Sequence, residues 1–328
     1  MFISPNFISD TMRIGTVLLL GSTGEIITEK SGHLNLGTPG IMALGGISGI
    51  IGAFFYEKSA AVVNPVLAVV ITLFAALLGS LLASLIYAFL TVTLKANQNV
   101  TGLALTTFGT GLSNFVGGII NKAKGEGSAT AAFPEFGKAY QTPLPFADET
   151  SGFGDAVLRW GFLAYIAIII AIVAAFVLTR TRVGLNLRAV GENPATADAA
   201  GINVTRYKYL SISIGGMISG LGGLHYVMTF AQGNWTSNIL GQLGWLAVAL
   251  VIFAIWKPWV AIFGSAIFGG LYILKNYMGQ SVSVSEQELL SMLPYVVTIV
   301  VLIITSMRKK REYQPPAHLG LPYFREER

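Results

Sequence analysis

The chain has 328 residues, 53% of them hydrophobic and 11% charged, with no cysteine and a formal net charge of +5. Apolar runs of about 20 residues with so few charges mark a polytopic helical membrane protein rather than a soluble domain. The missing cysteines exclude disulfides and cysteine metal sites, and the positive balance reads as basic cytoplasmic loops, not as a nucleic-acid surface.

Uncharged stretches cover 31–56, 63–94, 96–121, 160–179, 209–256, 258–274 and 289–307. Backbone groups in lipid need internal partners, so these are helices, and the expected fold is an all-α membrane bundle of about eight to ten segments, nine preferred. One domain, 1–328, is expected, with no internal repeat and no separate soluble part. The 38 glycines suit close helix approach in such a bundle.

In chain order, the apolar run after Arg13 lacks a signal-peptide cleavage site and leads into Glu25 and Glu29, the only carboxylates expected at depth. Residues 63–94 exceed one perpendicular span, which predicts tilt or an extramembrane end. Residues 96–121 are rich in Asn, Thr and Gly and carry two readings. One is a broken or re-entrant helix lining a cavity; the other is an ordinary, weakly hydrophobic span. The connection at about 121–156 balances its charges and holds Pro134, Pro143 and Pro145, which predicts an outside loop. Residues 160–179 then run inward.

The stretch 180–208 is a basic island with Arg180, Arg182, Arg188, Arg206 and Lys208, placed inside by its charge. Within it, Asn193 is a good N-cap, Pro194 fits the first helical position and Gly201 can close the C-terminus in a left-handed conformation. A short, fully punctuated helix there reads as a part made to be gripped. The chain returns outward over 209–230 and inward over 241–256, and turns at Lys257-Pro258. It goes out again over 259–274 and comes back over 289–307 to Arg308, Lys309, Lys310 and Arg311, which open a cytoplasmic tail, 308–328.

Absences narrow the function. None of the uncharged stretches supplies the ionisable residue that coupling to an ion requires. His225 reads as a hydrogen-bonded packing or cavity histidine. There is no HExxH and no Ser or Asp at motif spacing from His33 or His225, so neither catalysis nor a metal site is expected. No phosphate loop of the Walker type is present, so energy has to come from a partner.

The run Gly24-Glu25-Ile26-Ile27-Thr28-Glu29-Lys30-Ser31-Gly32-His33-Leu34-Asn35-Leu36-Gly37-Thr38-Pro39-Gly40-Ile41-Met42 resembles the opening signature of permease subunits of ABC importers for simple sugars and nucleosides. The connection Gly184-Leu185-Asn186-Leu187-Arg188-Ala189-Val190-Gly191-Glu192-Asn193-Pro194, followed by Ala199-Ala200-Gly201-Ile202, resembles the same family's cytoplasmic loop. One departure stands out. Pro39 occupies the step where most relatives carry Glu, so any role of that carboxylate is absent here.

The resemblance implies two permease subunits, the same or different, enclosing one path in a bacterial plasma membrane. It also implies cytoplasmic ATP-binding subunits that hold the ATP and magnesium, and an extracellular solute-binding protein; this chain itself binds no cofactor. The interface to the ATPase would then comprise Arg188, Glu192, Asn193, Pro194, Asp198, Ala199, Ala200 and Gly201. Glu192 and Asp198 would pair with basic partner residues while the alanine face enters a groove. Glu25, Glu29, Asn35, Gly37 and Gly40 form the structural signature, the carboxylates orienting the first helix break by hydrogen bonds. An uncharged path suits a neutral polar solute, and Asn99, Thr101, Phe108, Asn114, Gln232, Trp235 and Gln242 can hydrogen-bond hydroxyls or base edges and stack on rings. Nucleosides or simple sugars are the expected cargo. Competing readings are a branched-chain amino-acid permease of the same superfamily, an ion-coupled carrier needing no ATPase, and a membrane subunit without a pore.

Overall fold

A computed structural model of the chain describes residues 5–124, 131–143, 157–278, 284–307 and 314–324. Pro145 and the basic run at 308–311 lie outside the described residues, as do the rest of 125–130 and 144–156 in the loop and of 308–313 and 325–328 in the tail. Helices, numbered in order, are α1 (Pro5–Glu29), α2 (Thr38–Ser59), α3 (Pro65–Ala88), α4 (Gln98–Lys124), α5 (Pro134–Tyr140) and α6 (Phe162–Arg180). They continue with α7 (Arg182–Glu192), α8 (Pro194–Ala199), α9 (Val204–His225), α10 (Ile239–Phe253), α11 (Pro258–Met278) and α12 (Val284–Met307). Among the described residues there is no strand beyond one isolated bridge, Ala132 with Asn234.

Proline and amide caps set several starts. Asn64 Oδ1 accepts from Val66 N at 2.9 Å ahead of Pro65, and Asn203 Oδ1 accepts from Arg206 N at 2.9 Å to open α9. π turns extend two helices, Phe89–Thr93 after α3 and Tyr226–Phe230 after α9. With these, α2, α3, α4, α6, α9, α11 and α12 are long and apolar enough to cross a membrane.

Helix α1 runs through the middle, against α6, α9, α10 and α11. Its polar residues Thr23, Glu25, Thr28 and Glu29 are all buried by protein rather than by lipid, which explains how so polar a helix can sit inside the bundle. Gly24 and Gly215 let α1 and α9 touch through their backbones: a Cβ on either would strike the carbonyl of the other. Gly40 and Gly109 do the same for α2 and α4, since a Cβ on Gly109 would lie 2.7 Å from the Gly40 carbonyl.

Two expectations change. Helix α4 is continuous over 27 residues, so the broken-helix reading of 96–121 is wrong. Irregular backbone occurs instead at 231–238, between α9 and α10. Helix α10 starts beside Asn114, ten residues before the end of α4, or about 15 Å along its axis. The basic island also holds more than one helix. Helix α7 fills 182–192 ahead of α8, capped by Thr181 Oγ1, which accepts from Gly184 N at 3.1 Å. Its two glycines look like loop residues in sequence. In the fold they permit contact, Gly184 with the Val177 carbonyl and Gly191 with the Lys30 carbonyl.

Candidate functional site

One end of the bundle gathers the loop after α1, the turn 94–97, the α7–α8 corner and the tail. Asn193 Oδ1 accepts from Thr196 N at 3.0 Å, Pro194 opens α8, and Gly201 closes it at φ +83°. Pro194 and Ala197 face inward; Thr196, Ala199 and Ala200 are exposed and free to meet another surface. Arg188 is half-buried on α7.

The two acidic residues expected to meet a partner are held by the chain's own tail. Tyr323 OH donates to Asp198 Oδ2 at 2.9 Å, and Ala317 N donates to Glu192 Oε2 at 3.3 Å. Further rungs bind the tail: His318 N donates to Gly191 O at 3.0 Å and Gly320 N to Gly32 O at 3.2 Å. Nothing in the sequence near Glu192 or Asp198 signals these partners, which lie 125 residues away.

The signature loop is a hydrogen-bonded hub. Glu25 accepts from Asn35 N at 3.1 Å and from the Thr38 hydroxyl, while Glu29 accepts from the indole of Trp256. Asn35 Oδ1 accepts from Gly37 N at 3.0 Å. Tyr87 OH donates to Leu34 O at 2.5 Å, Thr106 Oγ1 to Leu36 O at 2.6 Å, and Gln98 Oε1 accepts from Leu34 N at 2.9 Å. Gln98 also reaches the tail, donating to Leu321 O at 3.3 Å. Thr38, Tyr87 and Trp256 lack a local sequence signal for this role. Pro39 occupies the first turn of α2, where a missing N–H is harmless, and its ring packs on Gly244 of α10. Burial lowers the Lys30 ammonium beside this hub, with Glu192 acting in the opposite direction.

The residues expected along a path separate into two groups. Asn99 and Phe108 are exposed on α4, Asn114 is half-exposed there, and Gln242 is exposed on the first turn of α10. Asn114 Nδ2 donates to Asn238 Oδ1 at 2.7 Å, and Asn238 N donates to Asn114 Oδ1 at 3.3 Å, which joins the two helices. Thr107, Gly111 and Gly118 continue the same open α4 face; a Cβ on either glycine would meet nothing within 4 Å. Thr101 and Trp235 point inward instead, Trp235 against Gly117, and so line no open face. Gln232 is exposed in the 231–238 segment at φ +55°. His225 is buried, with Thr229 Oγ1 at 3.3 Å from its Nδ1.

The open part of α4 mixes Asn99, Thr107 and Asn114 with exposed Val100, Leu103 and Phe115, a lining that suits a second protein surface bordering a path. It carries no charge from Gln98 to Asn121. Glu25 and Glu29 of α1 lie away from it, buried in the hub.

Over residues 7–302 the chain matches the family described as branched-chain amino acid transport system permease component. It is 34% identical to the nucleoside ABC transporter permease protein NupC of Lactococcus lactis, covering 90% of this chain and 91% of that one. It is 30% identical to the guanosine ABC transporter permease protein NupQ of Bacillus subtilis, covering 97% and 96%. A Haloferax volcanii protein named for glucose ABC transporter permease function is 33% identical over 94% of both chains. A helical bundle with seven helices fit to cross a membrane among the described residues, and a match along nearly the whole chain, agree: the chain is a multi-pass membrane protein that belongs to the branched-chain amino acid transport system permease-component family, among its ABC transporter permeases.

Proposed function

We propose that this chain forms half of the membrane path of an ATP-driven importer of nucleosides, with simple sugars the second class of cargo. The observation that carries the reading is the open, uncharged face of α4 and α10, where Asn99, Thr107, Asn114 and Gln242 stand among exposed Val100, Leu103 and Phe108. Facing a second permease subunit, this face would enclose a path able to hydrogen-bond a ribose or a base edge without a fixed charge. Phe108 on the same helix offers a ring for stacking. The nucleoside and guanosine relatives favour nucleosides, and the glucose relative keeps sugars as the alternative.

The exposed Ala199-Ala200 corner of α8 is the contact for a cytoplasmic ATP-binding subunit, which holds ATP and magnesium. Its rigid caps suit it to pass a push from that subunit into α6 and α9, which flank it in the chain. This orientation places α7, α8 and the tail in the cytoplasm and the bilayer as the plasma membrane. An extracellular solute-binding protein delivers the cargo from the other side. The ion-coupled reading loses support because Glu25 and Glu29 are engaged in the hub rather than set on the open face.

The test is uptake of labelled guanosine and glucose by proteoliposomes holding the full complex of permeases, ATPase and binding protein. Guanosine uptake should require ATP. Ala199→Arg together with Ala200→Glu should leave the chain inserted and ATP hydrolysis running, while uptake falls at least tenfold. Normal uptake by that double variant, or uptake by this chain alone on a pH gradient, refutes the assignment.

A further inference from the structure

Three basic side chains from three separate segments meet beside α8. Lys208, in the second turn of α9, is 3% exposed, and no described carboxylate pairs with its ammonium. His33, in the loop after α1, is 1% exposed, and its ring reaches only the backbone of Thr91, with no side-chain partner among the described residues. His318 approaches Lys208 from the tail, its Nδ1 also without a partner. Burying a cation beside imidazoles is unfavourable unless an anion completes the arrangement.

His33 and Lys208 line a half-open cavity of about 840 Å³. Its mouth holds two exposed cations, Arg206 and Lys95. Thr93 and Tyr209, joined by their hydroxyls, cross one side. Asp198, the acidic side chain on the lining, accepts from Tyr323 and so is turned to the tail. A volume of this size exceeds the need of a bare inorganic ion and suits a small organic molecule.

We propose that this cavity binds the phosphate group of an organic phosphate, with Lys208 and His33 as inner ligands and Arg206 and Lys95 at the mouth. Phosphate offers the negative charge that this cluster lacks among the described residues, and acceptor oxygens for its donors. Asp198 and Gly201 belong to the same wall. An occupied cavity therefore ties the α8 corner to α9 and to the π turn after α3, and bound phosphate stiffens the corner. The same chemistry is available from a soluble phosphomonoester or from an anionic lipid headgroup. The inference rests on the cavity alone and stands whatever solute the chain carries.

The full-length chain in phosphatidylcholine nanodiscs is titrated with inorganic phosphate, guanosine monophosphate and, as the phosphate-free control, guanosine. Binding is read by melting temperature and calorimetry. Guanosine monophosphate should raise the melting temperature, and guanosine should not. Lys208→Gln should weaken binding by about tenfold or more, the loss expected for a charge-assisted contact, without lowering the melting temperature of the ligand-free protein. Arg206→Gln, at an exposed position that the fold does not need, should weaken it by a smaller factor and decides the matter if Lys208→Gln does not fold. A second arm replaces part of the lipid with phosphatidylglycerol and measures lipid retained after delipidation. Retention that depends on Lys208, with no effect of the soluble phosphates, assigns the site to a headgroup. If neither soluble phosphates nor phosphatidylglycerol bind in a way that depends on Lys208 or Arg206, the proposal is overturned.

Discussion

Asn114 of α4 and Asn238 ahead of α10 form a reciprocal pair, side chain to side chain at 2.7 Å and backbone to side chain at 3.3 Å. Asn238 sits in the left-handed region at φ +66°, which Asn tolerates better than most residues. The pair sets where α10 begins along α4, and so places Gln242 beside the open polar face.

That geometry separates two substitutions at one position. Asn238→Gly keeps the backbone conformation and loses only the side chain, whereas Asn238→Ala also has to bear the left-handed strain. Asn238→Ala should be the less stable variant by roughly 1–2 kcal/mol, read from thermal melts of the purified protein. Equal melting temperatures would mean that the positive φ is not a constraint.

The glycines of α4 should divide by face. Gly109→Ala places a methyl against the Gly40 backbone, which cannot retreat, and should cost about 3 kcal/mol and reduce the yield of folded protein. A Cβ at Gly111 or Gly118 would meet nothing within 4 Å inside the chain, so with Gly111→Leu and Gly118→Leu the isolated subunit should melt as the wild type does. The same two changes should impair uptake or assembly with a second permease, measured by co-purification. Unimpaired uptake and assembly in both would remove α4 from the path and from the subunit interface.

The α8 corner should depend on its cap. Asn193→Ala removes the acceptor for Thr196 N and should destabilise the corner by about 1 kcal/mol. Hydrogen exchange over 194–199 should accelerate accordingly while the amides of α1 stay protected. Unchanged exchange would show that the tail, through Tyr323 and Asp198, holds the corner by itself.

Acid should weaken this end of the molecule. Burial holds His33 well below the usual imidazole range, and neighbouring Lys208 pushes the same way; burial lowers His318 too. Unfolding therefore takes up protons as pH falls through about 6.5, the free value, so stability is full above that pH and declines below it. His33→Gln should flatten the melting temperature between pH 7 and 5 relative to wild type. An equally steep decline in the variant would place the sensitivity elsewhere.

Local chemistry was readable without coordinates. The caps Asn193, Pro194 and Gly201 act within one or two turns, so their spacing alone marks α8. Uncharged length marks the spans in the same way, because a bilayer demands it. Helix α7 was not readable, because Gly184 and Gly191 resemble loop residues until Val177 and Lys30 are seen packed on them. Of the two readings of α4 the ordinary span held and the broken helix did not, for a related cause. Its Asn, Thr and Gly residues left a break open, yet they serve contacts with α2, α10 and an open face, while the irregular backbone fell at 231–238.

Sequence by itself determined the solvent of this protein and the family of its scaffold, since hydropathy, charge bias and short capping patterns are properties of neighbours along the chain. Tertiary structure alone decided which polar groups stay open and which are consumed: Glu25 by Asn35 and Thr38, Asp198 by Tyr323, Glu29 by Trp256, and Lys208 by no carboxylate among the described residues. Hydrogen bonds and charge pairs act over a few ångströms, and only folding brings together partners as far apart in the chain as Glu29 and Trp256, which are 227 residues from each other.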